Sequence, residues 1–128
     1  MWIDFQDALL GPRVYDLVAL LSDSYQSFDR VFIDARLDEY ARLMGSTAAD
    51  RERLGREFDL VTVQRKLKDA GRFVFIDRKK HNPSFLKFVE PTVDKVRAAL
   101  ARLVDDPTLT GLGELLDSVL RRVPSAGR

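Results

Sequence analysis

Cysteine is absent from all 128 residues. That absence removes disulfides, thiolate metal sites and cysteine nucleophiles together, and it fits a reducing cytoplasm. Histidine occurs once, at His81, with no second histidine or cysteine to complete a zinc site. Long hydrophobic runs are missing as well: no stretch approaches the ~18 uninterrupted apolar residues of a membrane span. The opening Met1-Trp2-Ile3-Asp4-Phe5 places an acid where a signal peptide would carry basic residues. Nor is there an excess of either charge. Basic residues number 21 against 20 acidic ones, for a net charge of +1, which argues against a nucleic-acid partner. These absences lead to the expectation of a cytoplasmic protein with no membrane and no nucleic-acid partner.

What is present is ordinary globular material: 45% hydrophobic and 32% charged residues, in a length of about one domain. Trp2, Ile3 and Phe5 suit a strand too short to form a sheet alone. Gly11-Pro12 then opens a helix, since proline loses nothing at a first helical position. Val14, Leu17, Val18, Leu21 and Tyr25 recur at helical spacing, and Tyr15, Ala19 and Leu20 widen the apolar face, which predicts a helix buried on most sides.

A second helix is expected over about Asp29 to Met44, striped by Ile33, Leu37, Tyr40 and Met44 and stopped by Gly45. Thr47-Ala48-Ala49-Asp50 reads as a capping box. It opens a helix that no proline interrupts before Pro83, about 30 residues and about 45 Å long. Leu60, Val63, Leu67, Ala70 and Val74 share one face of it, while Leu54, Phe58 and Val61 lie nearly opposite. A helix apolar on two faces runs through the middle of a structure. Gly71 is a place where it could kink. Arg78 to Lys80 and His81 read as a solvated break, with Asn82 capping the turn that Pro83 opens. A further helix is expected from Pro91, burying Val93, Val96, Leu100, Leu103 and Val104. After the break at Asp106-Pro107, Leu112, Leu115, Leu116, Val119 and Leu120 make a last amphipathic helix.

The strand without a partner is the anomaly. In phosphoryl transfer an Asp after a short strand commonly holds Mg²⁺ against nucleotide phosphates. Taken alone, Asp4 reads as a solvated acid near a terminus, but its context says more. Ile3-Asp4-Phe5-Gln6-Asp7-Ala8, then Gly11-Pro12, Tyr15-Asp16-Leu17 and Leu20-Leu21 resembles the metal-binding segment and following helix of aminoglycoside phosphotransferase and choline kinase-like enzymes. Val63-Gln64-Arg65-Lys66-Leu67-Lys68, Gly71-Arg72-Phe73 and Phe85-Leu86 look like the branch that phosphorylates cell-wall amino sugars at the anomeric hydroxyl. The likeness covers about the first 100 residues.

The resemblance implies roles residue by residue. Asp4 corresponds to the magnesium ligand, Asp16 to a buried acid that braces the catalytic loop, and Asp7 to a neighbour of the site. Arg65 and Arg72 either pair with acids of adjacent helices or contact sugar or phosphate. No catalytic residue can be assigned, because the family's nucleotide lobe, phosphate-anchoring lysine and catalytic loop all precede the metal-binding segment. The expected fold is all-α, the helical part of a kinase-like C-terminal lobe with a short strand remnant. Residues 1–123 would form one helical domain and 124–128 a flexible tail.

Two functions follow. The first is the acceptor-binding part of an ATP-dependent sugar or aminoglycoside-type kinase, inactive alone. It would use Mg²⁺ and ATP in the complete enzyme but bind neither tightly by itself. Its partners would be the missing N-terminal half, or another copy of the chain, and a small-molecule hydroxyl acceptor. The alternative is a non-catalytic helical interaction module derived from such a kinase.

Overall fold

The computed structural model describes residues 10–122. The expected strand at Trp2–Phe5 and the expected tail therefore lie outside the described residues. Within them the chain forms five α-helices: α1 Tyr15–Leu21, α2 Arg30–Leu43, α3 Ala48–Lys80, α4 Val89–Leu100 and α5 Pro107–Arg122. A 3₁₀ segment, Pro83–Phe88, leads into α4, and no strand occurs among the described residues. The all-α expectation holds.

The helix ends follow from local chemistry. Asp29 caps α2 by accepting the Phe32 amide at 2.7 Å. At the other end Gly45 takes a positive φ of 65°, Ser46 N–H donates to Ala41 O at 2.9 Å and Gly45 N–H to Arg42 O at 3.2 Å. That paired pattern is a Schellman motif, which a residue with a Cβ would strain. Thr47 and Asp50 form the expected capping box at the start of α3. This helix runs 33 residues, straight through Gly71, and ends where His81 adopts a left-handed conformation. The lone histidine thus terminates a helix. Asn82 accepts from the Ser84 amide at 3.1 Å and Asp106 from the Thr108 amide at 3.0 Å, opening the 3₁₀ segment and α5.

Helix α3 is the spine, packed by α1 and α2 near its start and by the 3₁₀ segment and α4 further along, with α5 lying on α4. It separates two apolar clusters. Val14, Val18, Leu21, Leu37, Ala41, Leu54 and Phe58 form one, and Val63, Val96, Ala99, Leu100 and Leu103 the other. The two-faced pattern of α3 was a sound guide to this arrangement.

Several expectations fail at the margins. Helix α1 ends at Leu21, short of Tyr25, and it buries only the Val14, Val18, Leu21 side, leaving Tyr15 and Leu20 exposed. Leu60, Val104, Leu115 and Val119, expected in buried stripes, are exposed too. Periodicity identifies a face, but how much of that face is covered depends on the neighbours actually present.

Among the described residues three buried polar side-chain atoms lack a hydrogen-bond partner, and one of them belongs to the packing of α4. Thr92 on α4 is fully buried, and its Oγ1 has no hydrogen-bond partner among the described residues. An unsatisfied hydroxyl costs about 1–3 kcal/mol. Thr92→Val, close in shape, should therefore raise stability by about 1 kcal/mol. An upward shift of the urea midpoint at unchanged slope would confirm it, and a downward shift would show that the hydroxyl has a partner.

Candidate functional site

Counting along α3, Asp59, Thr62, Lys66, Asp69 and Phe73 recur at intervals of three and four, so they form one stripe. Asp59, Thr62, Lys66 and Phe73 are buried. One buried stripe of the central helix is therefore largely polar. The Ser22–Phe28 connection and α4 pack against it, and each polar group on it is either paired or set against a cleft.

Asp59, 4% exposed, accepts from Arg30 of α2 at 2.7 Å and from Arg102, just beyond α4, at 2.8 Å. Three elements are tied together through one carboxylate. One turn past Thr62, Lys66 is 2% exposed. Its ammonium donates to Asp69 Oδ2 at 2.8 Å and to Ser24 Oγ at 3.1 Å, and Ser24 in turn donates to the same Asp69 oxygen at 3.2 Å. Burial pushes the Asp69 carboxyl up, but the Lys66 ammonium and the Ser24 hydroxyl outweigh this and hold it below its ordinary value.

Beside this triad lies a cleft of about 470 Å³ between the end of α1, α3 and the 3₁₀ segment. Its size falls in the usual range for small-molecule sites, roughly 300–1,000 Å³. Arg65 and Arg72, two helical turns apart, both line it. Arg65 stacks its guanidinium on the Tyr15 ring at 4.2 Å, and its Nε is buried without a hydrogen-bond partner among the described residues. Among the described residues neither arginine is paired with a carboxylate, so the reading in which they pair with acids of neighbouring helices finds no support there. The aromatic side of the cleft is built from Tyr25, Phe73 and Phe85; Phe73 and Phe85 stack at 5.9 Å between centroids. Asp23 and Asp69 supply acceptors.

The structure thus brings Arg65 and Arg72 together. Asp16 is exposed, on the side of α1 opposite Val14 and Val18. Asp4 and Asp7 lie outside the described residues. Among the described residues no three His, Asp or Glu side chains converge to hold a metal ion. None of the described helices is long and apolar enough to cross a membrane.

Sequence reasoning missed Ser24, Lys66 and Asp69. A signal existed, since Lys66 sits three residues after Val63 and four before Ala70, within a buried stripe. On a helix this rich in charge, however, a lysine at that spacing is usually solvated.

An all-α chain with a cationic, aromatic-walled cleft fits many classes, and comparison with known proteins narrows them. Residues 2–58 match the model of the phosphotransferase enzyme family, so the kinase-like resemblance seen in the sequence is confirmed. The particular relatives are more specific. The chain is 33% identical over 118 residues to an N-acetylmuramate/N-acetylglucosamine kinase of Pseudomonas putida, covering 89% of this chain and 34% of that one. To the kinase of the same name from Pseudomonas aeruginosa it is 36% identical over 121 residues, 91% of this chain and 35% of the relative. To that of Neisseria meningitidis serogroup B it is 38% identical over 95 residues, 68% and 28% respectively. The chain therefore spans about a third of the length of these relatives. No solved structure matches it.

Proposed function

We propose that this chain is the acceptor-binding helical part of an ATP-dependent phosphotransferase acting on an amino sugar. The observation that carries the reading is the pair Arg65 and Arg72, free of carboxylates among the described residues and set on one aromatic-walled cleft. Aromatic faces suit the apolar side of a sugar ring, carboxylates accept from its hydroxyls, and guanidinium groups take a carboxylate or phosphate in two-pronged fashion. The names of the relatives agree with an amino-sugar acceptor.

In the complete enzyme Asp4 would be the ligand for Mg²⁺, which with ATP supplies the phosphoryl group and its charge neutralisation. The residues of this chain would hold the acceptor and exclude water from it. Catalysis in such sites is mostly positioning and electrostatics, so this part alone should give no turnover.

The test begins with the coding sequence upstream of Met1. A loop of the form His-x-Asp-x-x-x-x-Asn preceded by a lysine-bearing lobe is expected there. The joined product should phosphorylate N-acetylglucosamine in the presence of ATP, while the 128-residue chain should not. In the joined enzyme Arg72→Met and Arg65→Met should each lower kcat/KM for N-acetylmuramate, whose carboxylate can meet a guanidinium, by about 100-fold, the loss of one charge-assisted contact of about 2–3 kcal/mol. Turnover by the chain alone, or unchanged kinetics in both variants, would overturn the proposal.

A second reading has its own support. Leu20, 69% exposed, leaves an uncovered apolar side chain on α1, as an interaction module would. If nothing kinase-like lies upstream, the kinase features are ancestry, and that side of α1 is where a second copy or a protein partner would sit.

A further inference from the structure

Beyond the Ser22–Phe28 connection lies a second and larger cleft, about 730 Å³, between the start of α2, α3 and α4. It shares only Ser24 and Tyr25 with the arginine cleft. Four cationic side chains line it: Arg30, Lys87, Lys95 and Arg102. The lone carboxylate in the lining, Asp94, is already engaged by Arg97 at 2.8 Å. Asp59 lies behind the wall and is shared between Arg30 and Arg102, and Arg30 has a second partner in Asp34 at 3.0 Å, so the lining cations without a salt bridge among the described residues are Lys87 and Lys95. Lys95 donates to two backbone carbonyls, those of Asp23 and Gln26, and forms no salt bridge among the described residues, although the Asp23 carboxylate lies near enough to favour its charged form. Burial, and after it the neighbouring Lys66, hold the Lys95 ammonium below its usual pKa against a smaller opposing pull from Asp23.

The floor is equally specific. Thr62 lines the cleft, is 3% exposed, and its Oγ1 is buried with no hydrogen-bond partner among the described residues. A buried hydroxyl left unmatched at the base of a cationic cleft is what a ligand oxygen would satisfy. Phe28, Phe88 and Pro91 supply apolar wall beside it. Size, charge excess, unmatched hydroxyl and apolar wall all favour the same kind of occupant.

We propose that this cleft is a second binding site, distinct from the arginine cleft, for a small organic anion bearing a ring. Its carboxylate or phosphate head would be held by Lys95 and Arg102, with Lys87 at the mouth and Thr62 at the floor. The inference does not depend on the phosphotransferase reading, because it would hold in a non-catalytic module as well.

Phenyl phosphate titrated into the ¹⁵N-labelled 128-residue chain tests it. Saturable shifts at the amides of Ser24, Thr62 and Lys95 are expected. Benzyl alcohol, the ring without the charge, should bind about tenfold more weakly, and benzoate shows whether a carboxylate serves as well as a phosphate. Lys95→Met should weaken phenyl phosphate by about tenfold, as expected for a charge-assisted bond. The exposed Lys87→Met, which should leave the fold intact, should weaken it by about threefold. Arg72→Met should leave this affinity unchanged. Absence of saturable binding would overturn the proposal. So would shifts centred on Arg65 and Arg72, or equal binding of benzyl alcohol.

Discussion

Replacing Asp69 by alanine should destabilise the fold by about 3 kcal/mol, because it strands the Lys66 ammonium in the interior. Lys66 is 3% exposed at its side chain and Asp69 22%. The asymmetry decides the outcome. When the acid is removed, the lysine keeps only the Ser24 hydroxyl as an acceptor. When the lysine is removed instead, Asp69 can draw on solvent, so Lys66→Met should cost only about 1 kcal/mol. The double variant should then lie close to Lys66→Met alone, giving a coupling of about 2–3 kcal/mol in a cycle of urea unfolding experiments. Additive losses would mean that the pair is not coupled.

The same pair sets a pH dependence. The folded Asp69 carboxyl lies below its ordinary value, so its contribution is fully present above the unfolded carboxylate pKa of about 4. It is lost as the pH falls through the lowered folded value. Stability of the parent chain should therefore decline in that acid window more steeply than that of the double variant.

Phe58→Ala should be the most damaging change in the apolar core, costing about 3–5 kcal/mol. Phe58 is 2% exposed and the largest fully buried side chain among the described residues. It sits in the cluster where α1 and α2 close on α3. Truncation removes its transfer energy and leaves a void that helices fixed by Asp59 and its two arginines cannot readily collapse to fill. The melting temperature should drop by roughly 10–20 °C. Leu60→Ala, two residues away on the exposed side of the same helix, should cost no more than about 0.5 kcal/mol. Similar losses in the two variants would refute the assigned packing of α3.

Some of this protein is decided locally and was legible in its sequence. A capping box, a glycine that alone takes positive φ comfortably, and prolines at the openings of turns act over a few residues, so Thr47, Asp50, Gly45 and Pro83 marked their boundaries without help. The two apolar faces of α3 likewise announced a central helix. The kinase kinship was legible from Asp4 through Leu21, and the comparisons agree. Tertiary structure alone decided the rest. Lys66 and Asp69 are ordinary charged residues until Ser24, some forty positions earlier, is folded over them. Arg65 and Arg72 become a pair facing one cleft only because Tyr25 and Phe85 close around them. Charge placement along one helix carries no record of what will be packed against it, and burial, which sets the energy of every charge here, is a property of the neighbours.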